Sequence, residues 1–317
     1  MQEKIENYCL VGFGTHAKNK LLPSLEKTHK NIFGIVSSKN KLNLEYDHYN
    51  DLQVALEKSN KSTIFIIASP PKVHFRQMNK IIKAERNIFV EKPIFTSFYQ
   101  AKMIQNFLKG KNLFIVELLM YKYTKLYEKF GKIWEKKKKM CTKIECFFYI
   151  PSVPDGTFRN KIDLTSSPLY DIGCYILSLL VDLKIPLEKI KIINKTIKNN
   201  KILSLSMSGF YNDLEIYTEF GIKKEYKNSV KLQFGKDQHI LFEKFFYGIK
   251  EKKQILFCKR NKFKFLSIED NNGFEKIFNC SNSFWLQNQS ERFHNISIVN
   301  KKLSSLKTEL KLLGNIK

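Results

Sequence analysis

The chain has 317 residues, 43% of them hydrophobic and 27% charged, which describes a globular protein of one large or two ordinary domains and excludes a disordered one. No apolar run reaches the roughly 18 residues needed to span a bilayer, and the start, Met1-Gln2-Glu3-Lys4-Ile5-Glu6, lacks a signal-peptide layout, so a cytoplasmic protein away from membranes is expected. The net charge of +25 is spread over scattered lysines rich in Asn, Ile and Phe neighbours, a pattern that AT-biased codons produce without a nucleic-acid partner.

The six cysteines, Cys9, Cys141, Cys146, Cys174, Cys258 and Cys280, contain no C-x-x-C pair. They read as reduced, buried thiols, with no disulfide framework and no metal site. The first 118 residues alternate short apolar runs (8–11, 32–36, 63–68, 88–90, 113–116) with helical patterns (19–27, 51–58, 72–83, 98–108). That alternation predicts a doubly wound parallel sheet with crossover helices. After Tyr121 a helix is predicted over 126–139, a strand over 143–150 and a helix interior over 178–183. Many short alternating segments then run from 189 to 265, and a closing helix covers 293–313. The expectation is a Rossmann domain at 1–118 and, at 119–317, an α+β substrate and oligomerisation domain built on a large, mostly antiparallel open sheet.

The first domain is organised around Leu10-Val11-Gly12-Phe13-Gly14-Thr15-His16-Ala17. A strand, a glycine turn and a helix in that order form the G-x-G-x-x-A context for a dinucleotide. Gly12 allows the sharp turn, Gly14 lets backbone approach a pyrophosphate, and Ala17 keeps the helix close to the sheet, with phosphates facing the unpaired N–H groups of the helix start. His16, inside the turn, is open between touching the cofactor and capping the helix. The second strand ends Val36-Ser37-Ser38-Lys39 with no acid before Glu45. Ser38 and Lys39 suit a ribose 2′-phosphate, so NADP is expected in preference to NAD, an ordinary polar turn being the alternative.

Three later segments sharpen this. Ile66-Ile67-Ala68-Ser69-Pro70-Pro71-Lys72-Val73-His74, Val90-Glu91-Lys92-Pro93 and Glu117-Leu118-Leu119-Met120-Tyr121-Lys122-Tyr123 are similar to segments of the glucose–fructose oxidoreductase, inositol dehydrogenase and rhizopine-catabolism (Gfo/Idh/MocA) family. Asp171-Ile172-Gly173-Cys174-Tyr175 resembles that family's D-x-G-x-[HY] motif. The resemblance implies an NAD(P)-dependent oxidoreductase acting on a sugar or nucleotide-linked sugar. It adds Thr15, Ser69, Pro70, His74, Glu91 and Lys92 to the cofactor contacts. It places Lys92, Tyr121, Arg159, Asp171 and Tyr175 at the substrate, and Lys92, Asp171 and Tyr175 at the chemistry.

The residue types suit that role. Hydride transfer to a carbonyl leaves an alkoxide that needs a proton and a nearby positive charge. Tyr175 can give the proton, and the Lys92 ammonium would stabilise its phenolate and polarise the carbonyl. Asp171, four residues before Tyr175, would share its helical face and orient Lys92 or hold a substrate hydroxyl. The plainer readings also stand: Lys92 as a surface lysine, Asp171 as an N-cap, Tyr175 as a core aromatic and His74 as a structural histidine. Departures from the family pattern at Ser166-Ser167-Pro168 and Thr124-Lys125 leave substrate identity open. They also leave room for a catalytically reduced, dinucleotide-binding sensor or assembly part. A homo-oligomer through the carboxyl-terminal sheet is expected.

Overall fold

A computed structural model describes residues 6–38, 45–151, 167–198, 201–223, 225–286 and 289–312. The chain divides into two compact units, one made of Met1–Leu119 with Phe274–Ser297 and the other of Met120–Gly273 with Ile298–Lys317. All six cysteines are free thiols, and only Cys280 is not fully buried.

In the first unit, β1 (Asn7–Val11), β2 (Asn31–Val36), β3 (His48–Tyr49), β4 (Ile64–Ile67), β5 (Asn87–Val90) and β6 (Ile115–Glu117) form one sheet of order β3-β2-β1-β4-β5-β6. Every pairing in it is parallel. The order reverses between β1 and β4, and in open α/β sheets the crevice at such a reversal is where ligands bind. Ile64–Ile67 and Asn87–Val90 are wholly buried, which explains the apolar runs 64–67 and 88–90: both faces are covered by helices. The covering helices are α1 (Leu22–Lys27), α2 (Leu52–Lys58), α3 (Pro71–Lys83) and α4 (Phe98–Phe107). Asp51 and Ser97 cap α2 and α4 by accepting from the backbone N–H groups of Gln53 and Gln100.

Three features of this unit differ from the sequence reading. The helix expected over 19–27 opens as a π-helical turn, Ala17–Leu21, before α1. The two-residue strand β3 is too short for a periodicity signal. Residues 274–297, expected in the second domain, pack here instead: Phe278 lies against Tyr8 and Phe89, Phe284 against Phe89 and Phe114, and Phe293 against Phe95. Such large rings contribute about 1.5–3 kcal/mol each when buried.

The second unit holds α5 (Lys125–Lys137), β7 (Lys143–Ile150), α6 (Pro168–Asp171) and α7 (Gly173–Asp182). Its remaining strands are β8 (Ile190–Lys198), β9 (Lys201–Tyr211), β10 (Leu214–Ile222), β11 (Lys227–Gln233), β12 (Gln238–Glu243), β13 (Lys252–Lys259) and β14 (Lys262–Glu269). The eight strands run β14-β13-β12-β11-β7-β10-β9-β8. All neighbours are antiparallel except β7 and β10, which pair in parallel at the centre. One face is buried, through Ile144, Cys146, Ile216, Phe220, Val230, Leu232, Ile240 and Phe242. Gly173 starts α7 where a side chain would press on the Phe220 ring, 3.0 Å away. Every α7 residue from Gly173 to Val181 is buried, so the helix is apolar all round. Short α8 (Gly273–Asn279) and the closing α9 (Gln289–Leu312) complete the chain. No helix among the described residues is long and apolar enough to cross a membrane.

Candidate active site

The glycine turn after β1 is built as its residue types require. Gly12 sits at φ +92°, and a Cβ there would lie 2.7 Å from the backbone N of Ser69 and 2.9 Å from its Cα. Only glycine fits. The Gly12 N–H donates to Val36 O (2.9 Å) and the Ala68 N–H to Val11 O (2.8 Å), so the turn is locked to both neighbouring strands. At Gly14 no atom lies within 4 Å of the Cβ position, so the backbone faces open space. Thr15 is exposed and Ala17 buried, as helix-to-sheet packing demands. A crevice at the strand reversal, bordered by bare backbone beside a helix start, fits a dinucleotide.

Ser38 is exposed at the end of β2, while Lys39 and Arg159 lie outside the described residues. Ahead of Ser38, the Ser37 N–H donates to Tyr49 O, and the Ser37 carbonyl is met by His48 Nε2 at 3.0 Å. The short strand β3, which sequence patterning does not reveal, thus fixes the chain where a 2′-substituent would be read.

The turn after β4 and the loop after β5 are tied together by His74. Its Nε2 lies 2.7 Å from Ser69 O and its Nδ1 3.2 Å from Pro93 O. Burial pushes the ring below the usual imidazole range, against the two carbonyls and the charge of Glu91, which favour the protonated form. The neutral ring has one N–H, and the shorter contact takes it. His74, expected among the cofactor contacts, is wholly buried; it braces the two loops and has no surface for a ligand. Ser69 donates to Gln77 Oε1, and Pro70 is exposed.

Lys92 is partly buried, and the Lys92–Pro93 peptide is cis. The Glu91 N–H donates to Ile67 O, and the Ile94 N–H donates to Glu117 Oε1 at 3.1 Å. Glu117, quoted above only as part of a family segment, therefore supports the lysine loop with its carboxylate. His16 donates from Nε2 to Glu91 Oε1 at 2.9 Å and sets its ring against Phe274, 5.7 Å between centroids. The sequence left His16 open because its partner stands 75 residues away.

Asp171 and Tyr175 belong to the second unit, and their expected common helix is interrupted. Asp171 closes α6 and Tyr175 lies in the first turn of α7, with Ile172 between at φ −115°. The Tyr175 N–H bonds to Ile172 O, three residues back, and not to Asp171 O. The expected single helix is thus divided at Ile172, whose backbone stays in the right-handed helical region. Asp171 is also no N-cap of α7, since that position is Ile172. Both side chains are more than nine-tenths buried. The Tyr175 ring packs edge-on to Phe148 (5.5 Å) and tilted to Tyr121 (5.7 Å).

Tyr121, expected at the substrate, is corrected too. It is wholly buried, and its hydroxyl donates to Tyr175 O (3.2 Å) while paired with Ser178 Oγ (2.8 Å). Desolvation holds its phenol far above the usual range, so it stays neutral. Its role is to hold the helix that carries Tyr175. Lys122 and Tyr127 do likewise: both reach Asp182 at the far end of α7, at 2.7 Å and 2.6 Å. Thr124, where the sequence departs from the family pattern, caps α5 by accepting from the Tyr127 N–H. No group of three or more His, Cys, Asp or Glu residues that could hold a metal occurs among the described residues.

Comparison with known proteins agrees with this geometry. Residues 7–117 match the model of the oxidoreductase family with NAD-binding Rossmann fold, Gfo/Idh/MocA. Over 129 residues the chain is 24% identical to a dTDP-3,4-didehydro-2,6-dideoxy-alpha-D-glucose 3-reductase of Saccharopolyspora spinosa, a match covering 39% of this chain and 37% of that relative's length. The fold of nearly the whole chain is that of KijD10, a 3-ketoreductase from Actinomadura kijaniata crystallised with NADP and TDP-benzene. The TM-score is 0.83 at 14% identity, covering 96% of this chain and 98% of that one. A Gfo/Idh/MocA oxidoreductase from Vibrio cholerae superposes with TM-score 0.75 at 12% identity, covering 97% and 99%. Residues 7–117, with the glycine turn, the Glu91-Lys92-Pro93 loop and the 3-2-1-4-5-6 sheet, are thus similar to the NAD-binding Rossmann domain of the Gfo/Idh/MocA oxidoreductase family.

Proposed function

We propose that the protein is an NADP-dependent oxidoreductase that moves hydride at a carbonyl or hydroxyl carbon of a sugar or nucleotide-linked sugar. The observation that carries this reading is the family match over the domain that presents Lys92 on a braced loop. The preference for NADP rests on β2 ending in Ser37-Ser38-Lys39 without a carboxylate, and on the NADP in the KijD10 complex. NADPH would supply the hydride. Gly12, Gly14, Thr15 and Ala17 would seat its phosphates, and Ser38 and Lys39 its 2′-phosphate. Lys92 would polarise the carbonyl, Tyr175 would hold and deliver the proton, and Asp171 would orient Lys92 or a substrate hydroxyl. Arg159 suits a substrate phosphate or sugar hydroxyls. The sugar-nucleotide class is supported by the similarity to a dTDP-sugar 3-reductase and to a 3-ketoreductase crystallised with TDP-benzene.

The outer side of the second sheet leaves Phe210, Phe263 and Phe265 exposed, which supports a homo-oligomer formed there. Free, buried thiols suit the cytoplasm.

Fluorescence titration tests the cofactor reading: NADPH should bind more tightly than NADH, and Lys39→Asp should abolish the difference. Equal binding of the two by the wild type removes the NADP assignment. With a dTDP-linked 3-keto sugar as substrate, Lys92→Ala and Tyr175→Phe should each lower turnover by about 10²-fold or more. Unchanged turnover in Tyr175→Phe removes it as the proton donor.

A further inference from the structure

The His16–Glu91 contact joins parts of the site that sequence order keeps apart. His16 follows β1 through the glycine turn, and Glu91 follows β5 immediately before Lys92. In the sheet, β4 lies between those two strands. The 2.9 Å bond therefore passes across the carboxyl end of β4, beside the crevice at the β1/β4 reversal. Each end is anchored. Phe274 abuts the imidazole, and the Glu91 backbone is tied to Ile67 at 2.8 Å. Glu91 is nearly buried, with 11% of its side chain exposed, whereas His16 keeps 43%, so part of the ring is open to solvent. A hydrogen bond from a ring N–H to a carboxylate in such a half-buried place is of the stronger, charge-assisted kind.

We propose that His16 is a cofactor-positioning residue: its bond to Glu91 fixes the spacing between the glycine turn, which receives phosphate, and the loop that carries Lys92. The inference rests on the dinucleotide-binding reading above. It goes further by assigning a residue that neither the glycine motif nor the Glu91-Lys92-Pro93 segment identifies as a partner of the other. A dinucleotide reaching from the end of β2 to the end of β5 touches both linked parts, so loosening the link weakens binding of the whole molecule.

The test is a double-mutant cycle on the full chain, with NADPH affinity read by fluorescence and folding by thermal melting. His16→Phe keeps a ring beside Phe274 but removes the donor, and Glu91→Met removes the acceptor. Each should raise the NADPH Kd about tenfold, and the double variant should be no worse than either single, because both break one bond. His16→Gln, which restores a donor, should recover most of the affinity. Melting midpoints should stay near the wild-type value. If His16→Phe fails to fold, the cycle is run with His16→Leu, which also lacks a donor. Unchanged Kd in the singles, tighter binding, or additive losses in the double variant overturn the proposal. Wild type that binds neither NADPH nor NADH overturns the dinucleotide reading itself, a result distinct from wild type that binds while its variants match it.

Discussion

Gly12 and Gly14 stand two residues apart in one motif, yet the structure gives them separate jobs that alanine can tell apart. At Gly12, alanine would take a left-handed φ of +92° that costs an L-residue about 1–2 kcal/mol. Its Cβ would also overlap Ser69 N at 2.7 Å and Ser69 Cα at 2.9 Å. Those are backbone atoms of a turn fixed by His74, so they cannot rotate away; overpacking of this kind costs about 1–3 kcal/mol. The sum, about 2–5 kcal/mol, corresponds to a fall of roughly 4–20 °C in melting midpoint for a domain of this size. At Gly14 no atom lies within 4 Å and φ is not left-handed, so alanine should leave the midpoint within about 2 °C. Its methyl would stand where a phosphate must approach, and the NADPH Kd should rise at least about tenfold. Calorimetry and NADPH titration of both variants decide the matter. A Gly12→Ala protein that melts like wild type refutes the steric argument. A Gly14→Ala protein that is stable and binds NADPH normally refutes the phosphate cradle.

Tyr121→Phe removes a buried hydroxyl from Ser178 and the Tyr175 carbonyl without changing the ring. It should cost about 1 kcal/mol in stability and lower kcat more than it raises the substrate KM, since the lost contact positions α7 and touches no ligand. Equal kcat with a raised KM would return Tyr121 to the substrate. The depressed pKa of buried His74 makes a pH prediction of definite sign. The unfolded ring takes a proton near pH 6.5 while the folded ring resists it. Stability from this group is therefore present above that pH and is lost as pH falls below it, by at most about 1.4 kcal/mol per pH unit. Denaturation of His74→Gln should show a flatter dependence between pH 7 and 5 than wild type; parallel curves would refute this. In the second unit, Lys253 and Asp270 form a fully buried ion pair at 2.8 Å, and Asp270 also accepts from the Leu126 and Asn271 N–H groups. Asp270→Ala takes the counter-charge from a buried ammonium that also donates to Tyr247 O, and should destabilise by about 3–5 kcal/mol in urea unfolding. A loss under 1 kcal/mol would show that the lysine finds another partner or water.

What the sequence determined by itself was everything local in period or covalent in geometry. Apolar runs at 8–11, 32–36 and 88–90 are strands because buried parallel strands need apolar side chains on both faces, and β7 runs from Lys143 to Ile150 as expected. Gly12 announced its turn because no other residue tolerates that backbone beside Ser69. Only tertiary structure decided the rest, because the relevant partners are distant in sequence. The His16–Glu91 bond, the support of Ile94 by Glu117 and the clamp of His74 on Ser69 and Pro93 carry no spacing that a motif could record. Tyr121 read as a ligand contact and is a buried brace, since an aromatic with a hydroxyl suits either place and only burial distinguishes them. The break at Ile172, which puts Asp171 and Tyr175 in separate helices, is likewise a matter of backbone dihedrals that residue spacing alone does not reveal. Residues 274–297 return to the first unit for the same reason: rings such as Phe278 and Phe284 are apolar wherever they stand, and the surface they cover is chosen by the fold.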